Sequence, residues 1–522
     1  MTATPASAWI ERAALFTVVV LAGILYFHRL SDVPVYVSTD EAKFAVQAHS
    51  LATTGRDMRG NLLPVFVLIV DPLLPAERSV AWWQPVLFYA MAGVYLVADV
   101  SAWSTRIPVA ALAVLNVWLV FIVARRWLKS WRLALFAAAA LALTPAHFIL
   151  GREAADYFCP TTVALVWLWS LLRLLDQRSE RAAALTGVVL GLGLYTYITS
   201  WVVMPMYLAL TIAVGLRERF SFRLHRSLVL GFLACTVPVL VWTILHPSMI
   251  TETLTHYHFS GGSRFVERIT LFWDYFNPSY LFFAGGSNLL WSTRAAGVFL
   301  LAFIPLLLLG AWMLAVQTRA VFGIVLLIVF ALVPLPIVLA MPEAPFYATA
   351  RAILAVPFGV LIATAGLACL NQIRSPLRTA ATLVVIASMP WQFASFAKDY
   401  FDEYPQRSAR WIDTMNFRGV ADYVIASATE VPAVYLSHDD VGEDKAVKWK
   451  FHLLASDRLD LWDRSQYLEA EAASRSDIAS GSLLILSAGN PRLARLDGDG
   501  WSLATIVQDA AGEPAAAILR KR

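Results

Sequence analysis

Long apolar runs recur through most of this chain, and they leave few options for how it can fold. They lie near 13–30, 106–124, 131–150, 157–175, 183–198, 200–216, 227–246, 294–316, 321–340, 350–369 and 378–396. Each approaches the ~20 residues that a helix needs to cross ~30 Å of hydrocarbon. With 59% hydrophobic and 15% charged residues, one soluble core could not bury this surface. The pattern predicts a polytopic α-helical membrane protein of about eleven spans. The net charge of +4 is small and its basic residues are scattered over short loops, which argues against a nucleic-acid partner. Cys159, Cys235 and Cys369 sit in apolar surroundings without metal-ligand or disulfide spacing. The run at 14–27 has the length of a signal-peptide core, but Tyr26-Phe27-His28 is a poor cleavage site, so a retained first span is expected.

The run 84–98, between Trp82-Trp83 and Asp99, decides the topology. If it crossed the bilayer, Arg125, Arg126, Lys129 and Arg132 would lie outside, as would the clusters at 178–181, 217–226 and 374–378. If it lies along the interface or re-enters, all of these become cytoplasmic, as the positive-inside rule demands. The second arrangement is expected. It puts the loop 31–82, Arg106, Arg152, Arg351 and the C-terminal tail on one extracytoplasmic face, together with His256, Tyr257, His258, Tyr275, Tyr280, Phe346 and Tyr347. The bland reading is that such arginines snorkel and such rings form an interfacial belt; rings also stack on sugars.

From Lys398 onward charge rises, which predicts a domain of about 120 residues with its own small core. Strand-like segments at Val431–Leu436 and Leu483–Leu486 alternate with helical ones near 417–428 and 443–455, and Trp501–Gln508, Gly512 and Ala515–Leu519 read as a hairpin. The expected organisation is a transmembrane domain over 1–397, whose first external loop at 31–105 carries interfacial helices, and a small α/β domain over 398–522.

Asp40-Glu41 follows the first span directly. Moving a sugar off a polyprenyl phosphate needs a carboxylate to take a proton from an acceptor hydroxyl and cations to hold the departing phosphate. Asp40 or Glu41 fits the first task. Arg78, Arg106, Arg152 and Arg351 fit the second, because a guanidinium fork can engage two phosphate oxygens. Asp156, four residues after Arg152, is placed one helical turn along the same face, where it orients Arg152 or merely pairs with it.

These residues also carry a resemblance. Asp40-Glu41-Ala42, Ala48, Leu51-Ala52, Gly55-Arg56-Asp57, Gly60 and Pro64 resemble the first external loop of polyprenyl-phosphate-dependent GT-C class glycosyltransferases, the group of protein O-mannosyltransferases and lipid A aminoarabinose transferases. Arg106-Ile107-Pro108, the order Arg152, Asp156, Pro160, the stretch Tyr347-Ala348-Thr349-Ala350-Arg351-Ala352-Ile353 with Pro357, the run Ser287–Gly310 and the α/β tail are similar to bacterial members in the same order. The resemblance implies the GT-C fold, inversion at the anomeric carbon and independence from nucleotide sugars. It gives the catalytic role to Asp40 with Glu41 beside it, and a lipid-phosphate role to Glu77-Arg78, where Arg stands for the usual Lys and Ser79 for the usual Pro.

The expectation is therefore an integral-membrane glycosyltransferase of a bacterial inner membrane, with its active site and C-terminal domain on the periplasmic side. Its donor would be a polyprenyl-phosphate sugar and its acceptor an envelope lipid, polysaccharide or protein; no cofactor and no metal is expected. A transporter or flippase of a lipid-linked glycan would instead need ionisable residues at mid-membrane and often repeated halves. A noncatalytic membrane scaffold would leave Asp40, Glu41 and Arg351 without a shared task.

Overall fold

In the computed structural model, residues 5–69, 72–73, 81–256, 265–318, 320–340, 349–372, 376–427, 431–438, 445–469, 478–496 and 500–522 are described. The chain divides into two compact units. One comprises 1–28, 82–87 and 109–399; the other comprises 29–81, 88–108 and 400–522.

The first unit is a bundle of apolar helices. Among the described residues seven helices are long and apolar enough to cross a membrane: Ala8–Phe27, Ala102–Leu128, Asp156–Gln177, Ser200–Arg217, Phe222–Leu245, Val321–Leu339 and Thr379–Asp402. Shorter apolar helices cover Pro85–Tyr95, Trp131–Ala142, Phe303–Val316 and Ala355–Leu370. The expected run at 131–150 is broken into Trp131–Ala142 and Pro145–Leu150, because Pro145 has no N–H to continue the first helix and its fixed φ suits the start of a new one. The 11 residues of Pro85–Tyr95 rise only about 16 Å, short of the hydrocarbon thickness.

Lipid tails supply no hydrophobic force between helices, so close packing must hold them. Glycines provide it. A Cβ on Gly310 would lie 1.9 Å from the Ile362 carbonyl, and one on Gly366 would lie 1.9 Å from the Leu306 carbonyl, so Phe303–Trp312 and Ala355–Leu370 approach backbone to backbone. Gly187 and Gly231 do the same for Glu180–Gly193 and Phe222–Leu245, with the Leu228 and Ala184 carbonyls at 2.0 and 2.4 Å from the missing Cβ.

The second unit joins the first loop to the C-terminal segment. That regroups the loop, which the sequence assigns to the membrane domain. The contact responsible is between helix Thr39–Thr54 and helix Lys445–Ala455. A five-stranded sheet runs in the order Ser465–Leu468, Val434–Ser437, Leu483–Ser487, Pro514–Lys521, Trp501–Gln508. The first three strands are parallel and the last two antiparallel. The hairpin turns at Gly512, φ +83°, where the Asp509 carboxylate accepts from the Ala511 and Glu513 amides at 2.9 and 3.0 Å. Alternation sends Val434, Leu436, Leu483, Ile485 and Ile518 to one face, with Trp449, Val420 and Val424 of the helices, and Tyr435, Leu484, Leu486, Leu519 and Trp501 to the other.

Candidate active site

Helix Thr39–Thr54 is fixed at both ends by its own sequence. Ser38 caps it: its hydroxyl accepts from the Glu41 amide at 3.3 Å while the Glu41 carboxylate accepts from the Ser38 amide at 2.9 Å, a reciprocal capping box. Gly55, φ +68°, ends the helix with its N–H on the Leu51 carbonyl. The following turn is tied by Asp57, which accepts from the Arg59 and Asn61 amides at 2.9 Å each. The Gly55-Arg56-Asp57 part of the loop motif thus terminates a helix and turns the chain.

Glu41 has a second attachment. Arg106 meets it side-on, Nε to Oε1 at 2.7 Å and Nη2 to Oε2 at 3.0 Å, with both side chains at zero exposure. The other N–H groups of Arg106 go to backbone carbonyls: Nη1 to Leu30 and Pro34 at 3.0 Å each, Nη2 to Tyr36 at 2.7 Å. All five donors of the fork are engaged, and this saturation lets a desolvated pair persist. Arg106, expected in the phosphate clamp, has no N–H left for a phosphate in this arrangement; Glu41, expected beside the base, is locked in a structural pair. Both hold the loop 30–38 and the start of the helix. Asp40, one residue earlier in the first helical turn, is only half-buried.

Arg152, Asp156 and Arg351 belong to the first unit. Arg152 is buried, with Nη1 on the Tyr26 carbonyl at 2.7 Å and on that of Leu25 at 3.3 Å, and its guanidinium 5.1 Å from the centre of the Phe148 ring. Asp156 does not follow it on one helical face, as its spacing suggested. Helix Pro145–Leu150 ends before Arg152, Ala155 is extended at φ −134° and ψ 148°, and Asp156 opens a short turn ahead of helix Cys159–Gln177. The non-helical stretch 153–155 separates the two residues, which is why the i, i+4 relation fails. Sequence reasoning also missed Glu153. Its buried carboxylate accepts a short hydrogen bond from the Tyr157 hydroxyl; an acid directly after Arg152 was the available signal. Arg351 is half-buried in the turn that precedes helix Ala355–Leu370. Glu77, Arg78, Tyr257, His258, Phe346 and Tyr347 lie outside the described residues, while Tyr275 and Tyr280 are buried against each other, ring centres 5.7 Å apart. Among the described residues no three His, Cys, Asp or Glu side chains stand together as metal ligands.

Comparison with known proteins bears on the class. Residues 82–242 match the family model "Dolichyl-phosphate-mannose-protein mannosyltransferase". No curated protein matches by sequence. The chain is similar in structure to ArnT from Cupriavidus metallidurans, solved bound to undecaprenyl phosphate, with TM-score 0.63 and 13% identity over 99% of this chain and 98% of that one. The apo form of the same protein gives TM-score 0.62 at 13% identity, over 99% and 98% of the two chains. The Archaeoglobus fulgidus oligosaccharyltransferase, tethered with an acceptor peptide, gives TM-score 0.50 at 12% identity, over 86% of this chain and 64% of that one. The likeness in fold thus extends over nearly the whole chain, and the family match covers residues 82–242, less than a third of it.

Proposed function

We propose that this protein is a membrane glycosyltransferase that moves a sugar from a polyprenyl-phosphate donor to an acceptor hydroxyl on the extracytoplasmic face of a bacterial inner membrane, with inversion, and that Asp40 is the general base. The observation that carries the reading is the Glu41–Arg106 pair, which pins the start of helix Thr39–Thr54 and leaves the more exposed Asp40 in its first turn. Asp40 takes the acceptor proton as the oxygen attacks the anomeric carbon from the side opposite the phosphate. A phosphate monoester leaves without protonation, so the remaining need is for cations around its growing charge. Arg351, Arg152 and Arg78 are assigned that task, and Arg106 becomes a positioning residue. The undecaprenyl phosphate bound by the similar Cupriavidus protein supports a polyprenyl donor. The acceptor is an envelope lipid, a polysaccharide or a protein hydroxyl.

The test is transfer by the purified, reconstituted protein from a panel of synthetic polyprenyl-phosphate sugars to fractionated envelope acceptors. Product of inverted configuration with at least one donor supports the reading; no transfer and no donor hydrolysis across the panel refutes it. The orientation is tested by a cysteine placed at 129 in a background without the three native thiols. It should resist an impermeant reagent added to intact cells, and outside labelling would overturn the assigned face.

A further inference from the structure

The second unit contains a cavity of about 250 Å3 that the reaction as described does not use. Its walls come from the loop after the first span, from the start of helix Ala102–Leu128, and from helices Phe417–Ala426 and Lys445–Ala455 with the residues that follow. One wall is continuous with the pinned loop, since Tyr36 lines the cavity and gives its carbonyl to Arg106 at 2.7 Å. We propose that this cavity is a saccharide-binding subsite that receives a sugar ring of the acceptor.

The lining carries the chemistry of sugar recognition. Trp103 is 46% exposed and presents an indole face on which the C–H side of a pyranose can stack. Around it stand Asp32, Asp422, Arg418 and His452. Arg418, Asp422 and His452 make no hydrogen bond or ion pair with any described residue, so their polar groups are available to hydroxyls. Burial lowers His452 to a pKa of about 4, so the imidazole is neutral near pH 7 and offers one donor and one acceptor. Two carboxylates, one guanidinium and a neutral ring suit a ligand that both donates and accepts, as vicinal hydroxyls do. They suit a phosphate poorly, because the carboxylates would repel it. The volume lies below the ~300–1,000 Å3 of pockets that engulf drug-sized ligands, and fits one or two rings of a longer chain. The Tyr36 ring is buried, and burial raises its hydroxyl to about 12.

The assignment of this sugar to the acceptor rests on the transfer reading, and the experiment separates the two. Saturation-transfer NMR is run on the full-length protein in nanodiscs with methyl glucoside, methyl galactoside, methyl mannoside, N-acetylglucosamine and methyl glucuronide; donor hydrolysis by the wild-type protein is measured separately. At least one glycoside should bind. Trp103→Ala and Asp422→Asn should each weaken it at least tenfold, Trp103→Phe should recover part, and the exposed Asp457→Asn should match wild type. No binding above empty nanodiscs, or binding unchanged in both Trp103→Ala and Asp422→Asn, overturns the subsite whether or not the donor turns over. Binding that the two variants abolish, in a protein that never turns over any donor, keeps the sugar site and removes its assignment to an acceptor.

Discussion

Removing the Arg106 side chain tests the architecture most directly. Arg106→Ala leaves the Glu41 carboxylate buried without its cation and strips a donor from the carbonyls of Leu30, Pro34 and Tyr36. Breaking a buried pair by deleting one partner costs about 3–5 kcal/mol, because the survivor stays uncompensated. At ~1.4 kcal/mol per factor of ten, local opening of residues 30–45 should become roughly a hundred to several thousand times more frequent. Hydrogen exchange by mass spectrometry on the reconstituted protein reads this as faster exchange in peptides covering 36–46, with little change in helix Phe222–Leu245. Replacing both charges, Glu41→Leu with Arg106→Met, should restore much of the protection, since an apolar pair carries no desolvation cost. Exchange in Arg106→Ala within tenfold of wild type would show that the pair does not hold the helix start, and the reasoning that singles out Asp40 would fall with it.

Asp40→Asn should reduce transfer by at least a hundredfold while donor affinity stays within threefold, checked by turnover and by donor titration; transfer within threefold of wild type would remove Asp40 from the chemistry. Arg351→Ala should weaken donor binding, with Arg351→Lys recovering only part because a point charge lacks the fork, and overlaid donor titrations would place the phosphate elsewhere. Gly366→Val puts a branched side chain where a Cβ already meets the Leu306 carbonyl at 1.9 Å, so folded protein in membranes should fall sharply, whereas Gly93→Ala, with open space around it, should accumulate normally. His452 is held neutral with a pKa lowered to about 4 by burial. Its contribution to stability is therefore complete above the unfolded value of ~6.5 and is lost as pH falls through the folded value; His452→Gln should flatten the decline of thermal stability between about pH 6.5 and 4, and an unchanged slope would refute this.

The membrane class, the place of most helices and four of the five strands of the C-terminal sheet were legible in the chain because they depend on local patterning; the edge strand Ser465–Leu468 was not. Apolar runs name their helices, and the short continuous apolar runs in Leu483–Ser487 and Pro514–Lys521, bounded by turn residues, name buried strands. The caps of Thr39–Thr54, Ser38 with Glu41 three residues on and Gly55 at the other end, emerged only with the structure, although their signals lie in neighbouring residues. What no local pattern could state was the partner of each charge. Glu41 and Arg106 are 65 residues apart, and only folding shows that they neutralise each other, which turns two candidates for chemistry into one structural pair. The same limit hid the cavity beside Trp103, whose walls come from three distant parts of the chain, and it made Arg152 and Asp156 look like helical neighbours when a break lies between them. Periodicity is set by covalent neighbours and by the contrast between water and hydrocarbon, so the sequence alone determined the class and the elements. The pairing of buried charges and the lining of a cavity depend on which desolvated groups the tertiary structure brings within hydrogen-bonding distance, and that only the folded molecule decided.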